Sequence, residues 1–188
     1  MPYLHLIRHA EATHNPNHDT TIPDPPLTAT GIQQSKQLNE DFPYHKKVGL
    51  MITSPLRRAV QTALIGFESC LEGRYYDHDT VNGDIRSNTP KGERVTLRLE
   101  PEIQAHSSRL CDTGSTPLVL QSEFPSLLWD EIELGRFPAK EGDFVADMEN
   151  LERRGGRVKD ILRNEFQSLR MRGGGGGRIL LSLPMVNF

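Results

Sequence analysis

Short apolar, β-prone runs alternate in this chain with stretches of helical spacing, and that alternation constrains the fold more than any other feature. Tyr3-Leu4-His5-Leu6-Ile7 reads as a buried strand that breaks at once into Arg8-His9-Ala10-Glu11. Pro16, Pro23, Pro25 and Pro26 keep residues 16–27 out of regular structure. Thr28 then offers an N-cap for a helix over 29–42, with Ile32, Leu38 and Phe42 on one face. A second strand is predicted at Leu50-Met51-Ile52-Thr53. Ser54-Pro55 reads as a helix start, a capping hydroxyl followed by proline at the first helical position, with Val60, Ala63, Leu64, Phe67 and Leu71 at helical spacing behind it. Residues 73–94 are rich in Gly, Asp, Asn and Pro and read as irregular, and Val95 to Leu99 alternates like a strand. Apolar residues from Val145 through Val158 to Leu169 mark a long helix or helix pair, weakened in the middle by Gly155-Gly156. Five glycines, Gly173 to Gly177, form a flexible connector to a last strand over Arg178 to Leu183. Strands separated by helices of this length predict an α/β fold. The expected architecture is a three-layer α/β/α sandwich around a mostly parallel central sheet, with ligands at the strands' carboxyl ends.

At 188 residues the chain has room for one domain and a real core. Its 22 basic and 25 acidic residues give a net charge of −3, without the basic excess that a nucleic-acid partner requires. Two cysteines, Cys70 and Cys111, are too few for a disulfide framework and point to a reducing compartment. No apolar run reaches the length of a membrane span, and Arg8 arrives too early for a signal peptide. A soluble, cytoplasmic protein is expected. Its seven histidines all lie at or before His106.

In a parallel sheet, Arg8-His9 and Ser54 to Arg58 both fall just past carboxyl ends of strands and can face one another. A histidine flanked by arginine, opposite a second arginine from a helix N-terminus, suits a phosphoryl group. Guanidinium offers planar paired donors, the helix end offers free N–H groups, and a neutral imidazole can attack phosphorus. The same residues also read as solvated loop charges. His5, inside a strand, reads as a packed or hydrogen-bonded histidine. His14 and His18 lack a carboxylate or cysteine constellation, so no metal site is expected. Trp129 reads as core, the glycine tract lacks the Lys-Ser/Thr of a phosphate loop, and the charges from Glu152 to Asp160 read as a solvated helix face.

Leu6-Ile7-Arg8-His9-Ala10-Glu11-Ala12-Thr13-His14-Asn15 resembles the opening signature of the histidine phosphatase superfamily, in its phosphoglycerate-mutase-like branch. Asp24-Pro25-Pro26-Leu27-Thr28-Ala29-Thr30-Gly31 is similar to that family's D-x-P-L-T-x-x-G turn, and Ser54-Pro55-Leu56-Arg57-Arg58-Ala59-Val60-Gln61-Thr62-Ala63 to its S-P-L-x-R-A-x-Q-T-A. Glu102-Ile103-Gln104-Ala105, followed by Cys111-Asp112-Thr113-Gly114-Ser115, resembles E-L-Q-E before C-D-T-G-S in one branch. The resemblance implies that His9 is the histidine that becomes phosphorylated, that Arg8 and Arg58 bind the phosphate, and that Asn15 lies near it. Arg57 falls at the variable position. A two-step transfer through a phosphohistidine is implied, with no metal and no cofactor, on a small phosphorylated metabolite or other anionic small molecule.

Two departures qualify this. Ala105 stands where the resemblance places the carboxylate that protonates the leaving oxygen, and a methyl group cannot do so. General acid catalysis contributes about 10² to 10⁴ in rate, so an impaired phosphoester hydrolase is expected. Glu102, if extended, points to the opposite face, while Glu11 and Asp112 are open substitutes. The last strand is followed by Pro184 to Phe188 where the resemblance expects a His-Gly pair, so residues 1–188 read as one domain lacking the family's C-terminal end. The alternative is a repurposed or non-catalytic member that keeps the anion pocket as a binding protein, isomerase or lyase.

Overall fold

A computed structural model describes residues 3–75, 95–129, 132, 136–171 and 178–184. Strand β1 (Tyr3–Arg8) is followed by α1 (Ala29–Asp41), β2 (Val48–Thr53), α2 (Arg57–Gly66) and the short β3 (Leu97–Leu99). After these come α3 (Pro117–Glu123), α4 (Met148–Met171) and β4 (Arg178–Leu183). The four strands lie in the order β1-β4-β2-β3 with every pairing parallel, which is the α/β architecture the alternation predicts.

Side-chain alternation along the strands separates the two faces of the sheet. Leu180 of β4 and Met51 of β2 enter a core with Val60 and Ala63 of α2 and Phe67 just after it. Ile179, Leu181 and Ile52 point the other way, onto Val158, Ile161, Leu162 and Phe166 of α4. Trp129 is in the first core, 3% exposed, with its indole N–H donating to the Phe124 carbonyl at 2.9 Å. His5 accepts from Arg178 Nη1 at 2.9 Å and packs edge-on to Phe42, a packed histidine as expected.

Two expectations change. β1 is an edge strand of the described sheet, with Tyr3 55% and Leu6 60% exposed, not a buried one. The last strand inserts between β1 and β2, and apolar content alone does not tell an edge from a centre. Helix α2 begins at Arg57, because Leu56 stays extended and the Ser54 hydroxyl accepts only a long 3.4 Å bond from Leu56 N–H. The cap comes from far away in sequence, where Asp24 Oδ1 accepts from Arg57 N–H at 3.1 Å. Of the long helix or helix pair expected, the structure has the single helix, with α4 unbroken through Gly155-Gly156. Its apolar face on the sheet and the buried Arg154, which donates to the Glu102 and Gln104 carbonyls, outweigh a propensity cost of about 1 kcal/mol per glycine. The glycine tract and residues 76–94 lie outside the described residues.

α1 carries out its predicted start. Thr28 Oγ1 accepts from Gly31 N–H at 2.9 Å and donates to Glu11 Oε1 at 2.6 Å. Gly31 is required there, since a Cβ would stand 2.0 Å from the Glu11 carbonyl oxygen. That close approach fixes the loop after β1 onto α1.

Candidate functional site

The site forms where β1, β4 and β2 end side by side. His9 N–H donates to the Leu183 carbonyl at 3.0 Å, and Ser54 N–H to the Ser182 carbonyl at 3.2 Å. Both loops therefore leave the sheet at the same level, on either side of β4. A further tie closes the gap: Ala10 N–H donates to Thr62 Oγ1 at 3.0 Å, and that hydroxyl donates to the Arg58 carbonyl at 2.8 Å. The first turn of α2 is thereby held against the residues that follow β1.

His9 is 4% exposed. Its Nδ1 lies 2.6 Å from the Ala10 carbonyl oxygen. A carbonyl only accepts, so Nδ1 carries the proton and Nε2 presents a lone pair. That Nε2 is buried and has no partner among the described residues. Burial, with Arg58 as the next cause, holds the imidazole down at about 3, opposed by the Ala10 hydrogen bond. At neutral pH the ring is uncharged and nucleophilic.

Arg58 is fully buried at the start of α2. Its Nη1 donates to the Cys111 carbonyl at 2.6 Å and its Nη2 to Asp112 Oδ1 at 2.9 Å, while Nε is buried without a described partner. Burial pulls its pKa down, offset chiefly by Asp112. Arg8 is exposed and makes no hydrogen bond or ion pair with any described residue. It stands close enough to His9 and His14 to oppose their protonation. Arg57 turns away, its fork gripping Glu123 at 2.6 and 2.8 Å and the Asp24 carbonyl at 2.7 Å.

Asn15 and His14 form a unit that sequence spacing does not disclose. Ala12 N–H donates to Asn15 Oδ1 at 2.8 Å, which fixes the amide's orientation. Asn15 Nδ2 then donates to His14 Nε2 at 3.1 Å, so His14 carries its proton on Nδ1. That Nδ1–H is buried without a described acceptor, and the two imidazole centroids are 5.9 Å apart. Burial and then Arg58 lower the His14 pKa, keeping it a neutral donor. In the sequence His14 stands out only as a poor metal ligand, because nothing local signals that the loop folds back on His9.

Ala105 is 2% exposed, and its methyl packs into the core on the α2 side of the sheet. Asp112 reaches the site, but Oδ1 accepts from Arg58 and Oδ2 from Ser107 Oγ at 2.6 Å. Glu11 is drawn off to Thr28. Glu102 faces elsewhere, paired with Arg136 and with Arg157 at 2.9 Å. It does so from a 3-10 turn, Pro101–Ile103, and not from an extended strand. Lys140 Nζ donates to the Ala105 carbonyl. Burial, Arg154 and Arg58 bring its pKa down to about 8, against the pull of Asp112. The positions after Pro184, where the resemblance expects a His-Gly pair, lie outside the described residues.

The chain is similar to known proteins in sequence and in fold. Residues 4–70 match the model of the histidine phosphatase superfamily (branch 1). A probable phosphatase of Schizosaccharomyces pombe is 26% identical over 148 residues, covering 77% of this chain and 60% of that protein's length. The chain thus spans less than two thirds of that relative. Among solved structures, a candidate alpha-ribazole-5'-P phosphatase from Escherichia coli K-12 superposes with a TM-score of 0.50 at 19% identity, covering 98% of this chain and 74% of that one. That likeness shows a shared fold. The amino-terminal segment is thus similar in sequence to the histidine phosphatase superfamily (branch 1), and the architecture is shared with a phosphatase of solved structure.

Proposed function

We propose that the protein is a phosphoester hydrolase that works through a phosphohistidine at His9, on a small phosphorylated metabolite or similar anionic ester. The observation that carries the reading is His9 itself: a buried neutral imidazole whose Nδ1 proton is tied to the Ala10 carbonyl and whose Nε2 lone pair is unpartnered beside Arg58. In the first step Nε2 attacks phosphorus in line as the ester P–O bond breaks. In the second, water attacks phosphorus and the P–N bond breaks, returning Nε2. The exposed Arg8 guanidinium, the Arg58 Nε–H and the His14 Nδ1–H supply charge and donors to the equatorial oxygens. Asn15 acts through His14 by fixing its tautomer. Residues 1–188 are taken as one domain.

The test is phosphate release from 4-nitrophenyl phosphate, with acid-labile labelling of the protein by radioactive phosphate. Release by the wild type should fall to background in His9→Ala, with loss of the label; equal rates in the two proteins exclude the reading.

One observation favours a second reading, a family member that binds anions without turning them over: the buried Ala105 methyl where a carboxylate is expected. Phosphate binding that Arg58→Ala weakens, without any His9-dependent release, supports it. A gain of tenfold or more in Ala105→Glu on phenyl phosphate, whose leaving oxygen needs a proton, supports a disabled hydrolase instead.

A further inference from the structure

Cleaving a phosphoester of an ordinary alcohol requires a proton for the departing oxygen, and among the described residues the carboxylates around Arg58 are all committed as acceptors. Asp112 is bound through both oxygens, Asp24 accepts from Arg57 N–H and Ser115 N–H, and Glu11 and Glu102 serve Thr28 and the Arg136–Arg157 pair. His106, next to Ala105, interacts with Asp147 by the start of α4. Lys140 remains. The segment that carries it is wedged in place: Gln104 Nε2 donates to the Arg136 carbonyl at 2.8 Å, and the Phe137 ring sits against Gly114 so closely that a Cβ there would meet it at 2.1 Å. Lys140 Nζ completes the wedge on the Ala105 carbonyl, which leaves two of its three N–H groups without a described partner.

We propose that Lys140 is the general acid of the site, an ammonium that takes over the proton transfer which the methyl of Ala105 cannot perform. This rests on the hydrolase reading above. As His9 Nε2 forms its bond to phosphorus, the ester P–O bond breaks and a proton passes from Lys140 Nζ to the leaving oxygen, giving a neutral amine and an alcohol. The amine then accepts a proton from the water that attacks phosphorus, the P–N bond breaks, and the ammonium is restored. Lys140 Nζ donates to the Ala105 carbonyl, and the charges that act on it are Arg154 from α4, Asp112 from the turn at Leu110–Asp112 and Arg58 from α2. The two guanidinium groups and burial ease the proton off, while Asp112 holds it on, so a pKa of about 8 leaves the lysine charged at neutral pH yet able to give its proton up.

Leaving-group dependence tests this. 4-Nitrophenyl phosphate departs without protonation, whereas phenyl phosphate releases a phenol about as weakly acidic as tyrosine, near 10. Lys140→Met should lose about 10² to 10³ in kcat/KM on phenyl phosphate and only a few-fold on the nitrophenyl ester. Lys140→Arg keeps the charge and the donor but holds its proton too tightly, so it should stay as slow as Lys140→Met on phenyl phosphate, with an unchanged melting temperature. Equal losses on the two esters, or full rescue by Lys140→Arg, overturn the role of Lys140 while leaving His9 chemistry standing. No His9-dependent release from either ester overturns both.

Discussion

The residues that matter most here are those whose hydrogen bonds decide a protonation state. His9 is pinned through Nδ1 to the carbonyl of its own neighbour, and His14 through Nε2 to an amide that a backbone N–H has oriented. Both rings are therefore neutral for stated reasons, and folding stability should depend on pH accordingly. The His9 pKa falls from 6.5 to about 3 on folding, so between those values the unfolded chain binds the extra proton. Stability is complete above pH 6.5 and is lost as pH falls toward 3, at about 1.4 kcal/mol per pH unit for that group. His14 shifts in the same direction and steepens the loss. Urea unfolding from about pH 7 to about pH 4 should show His9→Gln losing stability about 1.4 kcal/mol per pH unit less steeply than the wild type. At this scale the sequence singled out Arg8, His9 and Arg58 as candidates because they stand next to strand and helix ends, and the fold brings both arginines close enough to act on the His9 charge. The sequence did not disclose His14 or Lys140, which arrive by way of a folded-back loop and a contact 35 residues distant in sequence.

At the scale of elements, the glycines separate two kinds of constraint. Gly31, in the first turn of α1, has the Glu11 carbonyl oxygen where its Cβ would be, and the same oxygen accepts from Thr28 N–H at 3.0 Å. Gly31→Ala must therefore displace backbone, and should cost about 2 to 4 kcal/mol in urea unfolding while weakening phosphate binding through the shifted loop. At Gly155 and Gly156 a Cβ would meet no atom within 4 Å, and both sit inside a continuous helix. The double replacement by alanine should stabilise the protein by roughly 1 to 2 kcal/mol and leave phosphate release unchanged. Helix propensity alone makes this pair a weak point. The packing of α4 against β2 and β4 makes it a tolerated one. Helix α2 teaches the reverse lesson, since its sequence offers Ser54 as a local cap and the structure takes Asp24 instead.

Across the whole molecule, one buried cation ties α4 to the segment that follows β3. Arg154 of α4 donates to the Glu102 carbonyl at 2.8 Å and to the Gln104 carbonyl, and it also stands among the charges that lower the Lys140 pKa. Arg154→Met should lower stability by about 2 to 4 kcal/mol in urea unfolding, by leaving buried carbonyls without donors. It should also move the alkaline limb of phenyl phosphate hydrolysis to higher pH, because one of the groups opposing the Lys140 charge is gone. Composition and periodicity were sufficient for the layered α/β order, since strand and helix spacing are properties of the local chain. The candidate site was proposed on the same local ground, because Arg8-His9 and Arg58 closely follow recognisable strand and turn signals. Tertiary structure alone decided that β4 divides β1 from β2, that His14 lies 5.9 Å from His9, and that Lys140 comes to the Ala105 carbonyl. The physical reason is that burial and long-range hydrogen bonds set both the neighbours and the proton positions of these side chains, and neither is encoded in any short stretch of the chain.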